Sequence, residues 1–275
     1  MPRRRMNDRE TEQRILDAAV ALVHERGIST GLEGIAFEEV VRRAEVSRTS
    51  AYRRWPQRDR FHGDVLLKLA SGTTLPASDA SIIGPTAAVV ADRAQRLGSP
   101  QERRNLVVEL LRVSIGRDFE VVSTAPEWRT FTSLLASHQG IDDAGLRDAV
   151  AAELVATQRR SDQTRARAYA QFTALLGYRL VPPLAGPDGY ELMSLAAGTT
   201  MTGLLTRLSL DDPSGQAPRR MRAFGSTEPA EWTAAVYMIA STVIGYIEPD
   251  PGVTWSPERV DDLLTGITGF TSQAP

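Results

Sequence analysis

The chain contains no cysteine, which excludes a disulfide framework, a thiolate metal site and a thiol nucleophile. Lysine is nearly absent too: Lys68 is the only one, so almost all of the positive charge is arginine. Histidine is scarce and scattered, and His24, His62 and His138 never fall in a metal-ligand spacing such as His-x-x-x-His. Glycines 27, 31 and 34 have neither a preceding strand pattern nor a following Gly-Lys-Ser/Thr, and no serine stands in a Gly-x-Ser-x-Gly elbow. The acidic pairs Asp142-Asp143, Asp211-Asp212 and Asp261-Asp262 lie near expected helix ends, where capping and solvation account for them. Neither a catalytic site, a metal nor a cofactor is therefore expected. No apolar run approaches the ~20 residues that cross a bilayer, and the most apolar stretch, residues 234–247, is interrupted by Ser241 and Thr242. Arg3, Arg4 and Arg5 lead into a polar, charged segment without the apolar core of a signal peptide, so a soluble cytoplasmic chain with no membrane partner is expected.

What is present suits two folded domains. The 275 residues are 42% hydrophobic and 24% charged, enough apolar surface for cores and an ordinary charge load. The net charge of −2 is unevenly spread: residues 1–62 hold 13 Arg against 10 acids, and the remainder holds 19 basic against 24 acidic residues. A mildly basic head on an acidic body is consistent with a nucleic-acid-reading domain joined to something else.

Residues 37–61 carry the most information, reading as two short helices joined by a tight turn. In the first, Phe37, Val40, Val41 and Ala44 form one apolar stripe at i, i+3, i+4 and i+7, with Glu38 and Glu39 in the first turn where the helix dipole favours acids. Ser47 is an N-cap for the second, whose Ala51 and Trp55, preceded by Val46, face inward. Arg48, Thr49, Ser50, Arg53 and Arg54 then face outward. A helix with an apolar wedge on one side and guanidinium and hydroxyl groups on the other meets the chemical demands of a DNA major groove. A supporting helix is expected before the pair, from Asn7 or Thr11 to Gly27, with Asn7 and Glu10 as a capping box. A linker helix is expected after it, from about residue 57 to 70.

Here the chain resembles the TetR family of one-component bacterial regulators. The family pattern is met by Gly27 closing the first helix, Ala44-Glu45-Val46-Ser47 at the turn, Tyr52 and Trp55 in the recognition helix, then Arg58-Asp59 and Phe61. Glu45 stands where the family's turn has glycine, Ala36 where a capping threonine is usual, and the connection from Gly27 to Phe37 is a few residues longer. The resemblance covers residues 8–70, about a quarter of the chain. It implies an all-α protein in which an N-terminal three-helix helix-turn-helix domain, residues 1–70, joins a larger helical ligand-binding and dimerisation domain, residues 71–275. It also implies a sequence-specific transcriptional regulator, most often a repressor, that leaves its double-stranded DNA operator when a small-molecule effector, of unknown identity, binds. The expected DNA contacts are Arg48, Thr49, Ser50 and Arg53 at the base edges and Tyr52, Arg54 and Arg58 at phosphate, with Ser47, the cap of the same helix, also counted in the DNA-binding surface. Arg3, Arg4 and Arg5 are either a minor-groove arm or a tail.

Beyond residue 71 the chain shows helical patterns near 85–97, 101–122, 126–138, 143–178, 188–209, 229–247 and 257–270, with loops at 179–189 and 210–228 and no sustained strand alternation. Residues 143–178 read as one long helix or two. The helices near 188–209 and 229–247 are rich in small and apolar residues on more than one side, and in the family two late helices from each subunit form the homodimer interface. By the same resemblance Phe119, Trp128, Phe131, Tyr169, Phe172 and Tyr178 lie on helices around an effector pocket. The alternative reading is a helical ligand-binding protein or enzyme whose helix-turn-helix no longer reads a specific site.

Overall fold

Asn7 starts the first helix with a reciprocal cap: its side chain accepts from the Glu10 amide at 2.7 Å, and the Glu10 carboxylate accepts from the Asn7 amide at 3.1 Å. The structure is a computed structural model that describes residues 7–27, 35–72, 80–208 and 217–269. These residues are mostly helical, divided into two compact units. Arg3, Arg4, Arg5, Gly31, Gly34 and part of the expected loop at 210–228 lie outside the described residues.

The first unit holds α1 (Asp8–Arg26), α2 (Phe37–Arg43), α3 (Arg48–Arg54) and α4 (Arg58–Gly72), together with α7 (Pro126–Ser137) and the start of α8 (Ala144–Leu175) up to Arg160. Ile15, Leu22, Phe37, Trp55, Phe61, Leu69, Phe131, Leu134 and Leu154 form one buried core. A domain ending at residue 70 would leave out α7 and the head of α8, which supply part of that core. α4 and α8 approach each other closely. Gly63 has no side chain, and a Cβ there would stand 3.3 Å from Leu146. The buried Thr157 hydroxyl donates to the Ala70 carbonyl at 2.8 Å.

The second unit holds α5 (Ala80–Arg93), α6 (Pro100–Thr124), α8 from Ser161, α9 (Pro187–Leu208), α10 (Ala234–Ile244) and α11 (Pro257–Gly269). Its core joins Val90, Leu97, Leu106, Leu110, Met193, Ala197, Val243 and Leu263. Residues 144–175 form one helix, which settles the open choice of one or two. The mostly helical architecture agrees with the all-α expectation, with four strands of three residues each among the described residues: β1 (Tyr178–Leu180) pairs antiparallel with β4 (Ile247–Pro249), and β2 (Arg219–Met221) with β3 (Ala230–Trp232). Ladders this short cannot display the period of two that marks a strand in sequence. The helix expected over 229–247 is thus β3 followed by α10, which starts where the Thr233 side chain accepts from the Val236 amide at 3.3 Å. Gly189, in the first turn of α9, admits no substitute, because a Cβ would fall 1.9 Å from the Leu184 carbonyl oxygen.

The half-buried Asp118 carboxyl makes no hydrogen bond or ion pair among the described residues. Burial raises the Asp118 carboxyl from 3.8 to about 6, against the pull of the Arg165 guanidinium. Arg165 itself is held by Asp162 at 3.2 Å and by the Ser194 carbonyl at 3.2 Å. Burial also pushes the Tyr169 hydroxyl up to about 12 in the same region. Because the folded Asp118 value lies above the unfolded one, the folded state keeps the proton longer. Its contribution is therefore present below pH ~4 and lost as pH rises through the interval to ~6. Asp118→Asn should stabilise the protein at pH 7, by up to about 3 kcal/mol, and change little at pH 4. Urea unfolding of both proteins at the two pH values checks this, and an equal difference at both would refute it.

Candidate nucleic-acid interface

The turn between α2 and α3 keeps its shape without glycine. Glu45 takes φ +53°, the left-handed conformation that a glycine would adopt there. This costs about 1 kcal/mol or more for a residue with a Cβ. Glu45 is exposed, so its side chain meets no neighbour that forbids the conformation. Ala36, at the N-cap of α2, makes no side-chain capping bond. Ser47 does cap α3: its oxygen accepts from the Ser50 amide at 3.1 Å and its hydroxyl donates to the Ser50 oxygen at 2.8 Å.

Aromatic packing sets the rotation of α3. Ala51 and Trp55 are 0% and 2% exposed, and Trp55 meets Phe61 edge to face at 5.5 Å while Phe37 meets Phe61 at 4.8 Å. The Trp55 indole N–H donates to Asp64 at 2.7 Å, which satisfies the buried polar end of that ring. With this side inward, Arg48, Thr49, Tyr52 and Arg53 are exposed and Ser50 is half-buried.

The outward residues are not equivalent. Arg48 and Thr49 make no hydrogen bond or ion pair among the described residues. Tyr52 packs its ring edge on Phe37 at 5.3 Å and donates its hydroxyl to Glu38 at 2.8 Å. That bond raises the Tyr52 hydroxyl, while the Glu38 carboxyl is held low by its own backbone amide first and Tyr52 second. Arg58 lies 3.6 Å from the same Glu38, and Arg53 pairs with Asp8 at 2.5 Å with both side chains largely exposed. Arg54 departs from its expected place. Its guanidinium is bound side-on to Glu12 at 3.0 and 2.8 Å, lies 3.5 Å from Asp64 and sits 5.1 Å over the Trp55 ring. It is a clamp between α1, α3 and α4, and not an uncommitted group at the surface. The periodicity of α3 placed it outward; the acids that capture it lie elsewhere in the chain.

The six aromatic residues expected around one pocket do not share a core. Phe131 is buried and Trp128 packed in the first unit, whereas Tyr178, Tyr169 and Phe172 belong to the core of the second and Phe119 lies half-buried on its α6. A polar cleft of about 330 Å³ in the second unit has none of them in its lining, which runs from Arg93 through Asn105 and Arg112 to Glu228 and Trp232. On the same unit α9 exposes Leu192 and Leu195, and α10 exposes Tyr237 and Met238. Thr200 and Thr242 meet at 3.3 Å where these two helices touch.

No family model and no curated protein matches the chain.

The contrast between two neighbouring arginines is measurable. Arg54→Ala should cost about 1–2 kcal/mol through the lost side-on pair and ring contact, while Arg48→Ala should stay within about 0.5 kcal/mol of the parent. Chemical denaturation of the two variants decides it, and equal losses would place Arg48 in the protein's own packing.

Proposed function

We propose that this protein is a dimeric DNA-binding transcriptional regulator of the TetR kind, most often a repressor, that reads its operator through the N-terminal end of α3 and releases it when a small molecule binds. The observation that carries the reading is the division of α3: Ala51 and Trp55 are sealed inward, and Arg48 and Thr49 stand at the exposed start of the helix with no hydrogen bond or ion pair among the described residues, Arg48 being within electrostatic reach of Glu38. An arginine so placed can bind guanine through two parallel hydrogen bonds, and a threonine hydroxyl can serve either base-edge donors or acceptors. Ser50 and Arg53 remain candidate base contacts, and Tyr52 and Arg58 candidate phosphate contacts. Arg54 takes a different role in this reading, holding α3 in place from behind.

The acids near the surface shape the energetics. Glu38 and Asp8 compete with phosphate for Tyr52, Arg58 and Arg53. Exposed pairs of this kind contribute about 0–1 kcal/mol, so a phosphate can replace them, yet the replacement lowers the net gain. Binding to arbitrary DNA is then weak and strongly salt-dependent.

A seven-residue helix spans about 10 Å, enough for a few base pairs. Two copies are needed to read an operator, with half-sites about 34–36 Å apart. The apolar residues exposed on α9 and α10 support self-association through that face, since Leu192, Leu195, Tyr237 and Met238 gain by being covered. The effector would act by preferring a conformation that separates the two reading heads wrongly for successive grooves. For the effector site, Phe119, Tyr169, Phe172 and Tyr178 remain candidates, and Trp128 and Phe131 are assigned to the first unit's core.

Gel shift over a salt series, using a duplex selected from a random pool, tests the DNA reading. The selected duplex should bind in the nanomolar range, and Arg48→Ala should cost about 1–3 kcal/mol and relax base choice at one position. An equal affinity of the parent protein for selected and random duplexes would end the proposal. Light scattering tests the assembly independently: the parent should be a dimer, and Leu195→Glu with Met238→Glu should give a folded monomer.

A further inference from the structure

The polar cleft of the second unit has two walls. One is helical, with Arg93 at the end of α5 and Asn105, Val108, Glu109 and Arg112 on α6. The other is the segment from Ser226 through Pro229 to Trp232, which includes β3. The walls are fastened to each other by bonds that leave little for a ligand. Arg93 donates to Glu228 at 2.6 Å, and the buried Asn105 side chain accepts from the Thr227 amide at 3.0 Å and the Ser226 hydroxyl at 3.1 Å while donating to the Thr227 hydroxyl at 3.1 Å. The cleft is thus preformed.

Charge pairing leaves an asymmetric remainder. Arg93 is matched by Glu228 through its Nη2, and its Nη1 is buried without a hydrogen bond among the described residues. Arg112 is matched by Glu109 through its Nε and Nη2, at 2.8 and 2.7 Å, so its Nη1 donors carry no hydrogen bond among the described residues. Across the cleft Glu231 is exposed and makes no ion pair among the described residues, although Arg220 stands opposite it in the β2–β3 ladder. The Arg112 guanidinium feels both carboxylates, and its proton is held more tightly because of Glu109 first and Glu231 as a further charge. A donor of positive charge on one wall and an acceptor of negative charge on the other face a cleft of about 330 Å³ without touching. That volume lies at the small end of ligand pockets, which run from about 300 to 1,000 Å³.

We propose that this cleft binds a small zwitterion of amino-acid size, its carboxylate on Arg112 Nη1 and its ammonium on Glu231. A simple acid would leave Glu231 unmatched, and a simple amine would leave the Arg112 Nη1 donors without an acceptor. Val108 and Pro229 line the cleft with apolar surface that suits a short aliphatic side chain. Among the described residues no group of His, Cys, Asp or Glu is arranged to hold a metal ion, so the three carboxylates here do not form a cation cage. This inference stands apart from DNA binding and from the aromatic residues considered above.

Isothermal titration of the full chain, without DNA, with alanine, valine and leucine tests it, using isobutylamine and isobutyrate at matched ionic strength as single-charge controls. At least one amino acid should bind saturably, and the controls should be weaker by at least about tenfold, or ~1.4 kcal/mol. Glu231→Gln should bring the zwitterion down to the level of the acid without shifting the unfolding midpoint, because that side chain is exposed. Arg112→Gln should bring it down to the level of the amine. Absence of saturable binding by all three amino acids up to about 10 mM, equally tight binding of a control, or an unchanged affinity in Glu231→Gln would each overturn the proposal; a dissociation constant near 1 mM is about 4 kcal/mol, weak but well within measurement.

Discussion

The Trp55 indole, enclosed by Phe37 and Phe61 and hydrogen-bonded to Asp64, is the contact on which the arrangement of α3 depends. A helix advances about 100° per residue, so fixing Ala51 and Trp55 inward leaves no freedom in where Arg48, Thr49, Tyr52 and Arg53 point. Short helices have little stability of their own, since nucleation is costly and few bonds follow it. The seven residues of α3 are therefore helical because the Ser47 cap and this aromatic cluster hold both ends. The same ring then recruits Arg54, whose guanidinium lies over it and reaches Glu12 and Asp64. One side chain in the core thus decides which arginines remain at the surface and which does not.

Charge around α3 works against the impression left by a run of arginines. Counting Arg48, Arg53, Arg54 and Arg58 as four available cations overstates the field, because three of them already face acids within 4 Å. Glu38 is the centre of this arrangement, accepting from Tyr52 and facing Arg58. An acid from the first turn of α2, favoured there by the helix dipole, also pre-positions groups on α3 and α4. In the proposed reading its two effects on an incoming phosphate would oppose each other: it orders Tyr52 and Arg58 and it would repel the anion.

How far the sequence revealed this depends on the range of the interactions. The Asn7 cap and the Ser47 cap are local, with partners three residues away, and they appear in the structure where spacing placed them. The fate of Arg54 was not legible, because its partner Glu12 is 42 residues distant and nothing in the spacing of α3 points to it. The same limit hid the composition of the first unit's core: Leu134 and Leu154 read as ordinary helix residues until α7 and α8 are seen against α4. The six aromatics expected around one pocket fail as a group for this reason, since helical spacing marks a buried side without saying which core it enters. The polar cleft was wholly invisible, with Arg93 and Glu228 separated by 135 residues. Three-residue strands left no periodic trace either.

The second unit joins three of its features through one segment. Arg104 donates to the Phe224 carbonyl at 2.6 Å and Gln101 to the Gly225 carbonyl at 2.9 Å, so α6 holds a turn in which Phe224 takes φ +51°. Phe224 in turn stacks on Tyr237 of α10 at 4.8 Å, and Trp232 meets both rings edge to face. Tyr237 is one of the exposed residues on the α9–α10 face, and Trp232 belongs to the cleft. The cleft wall, the aromatic stack and the start of α10 are consecutive parts of residues 224–237, with only Thr233 between β3 and the helix. The positions of Tyr237 and Met238 are consequently set from the α6 side by side-chain to main-chain bonds, and not by α9 alone. α9 and α10 approach closely enough for Thr200 to reach Thr242, and Leu192 and Leu195 of α9 are exposed.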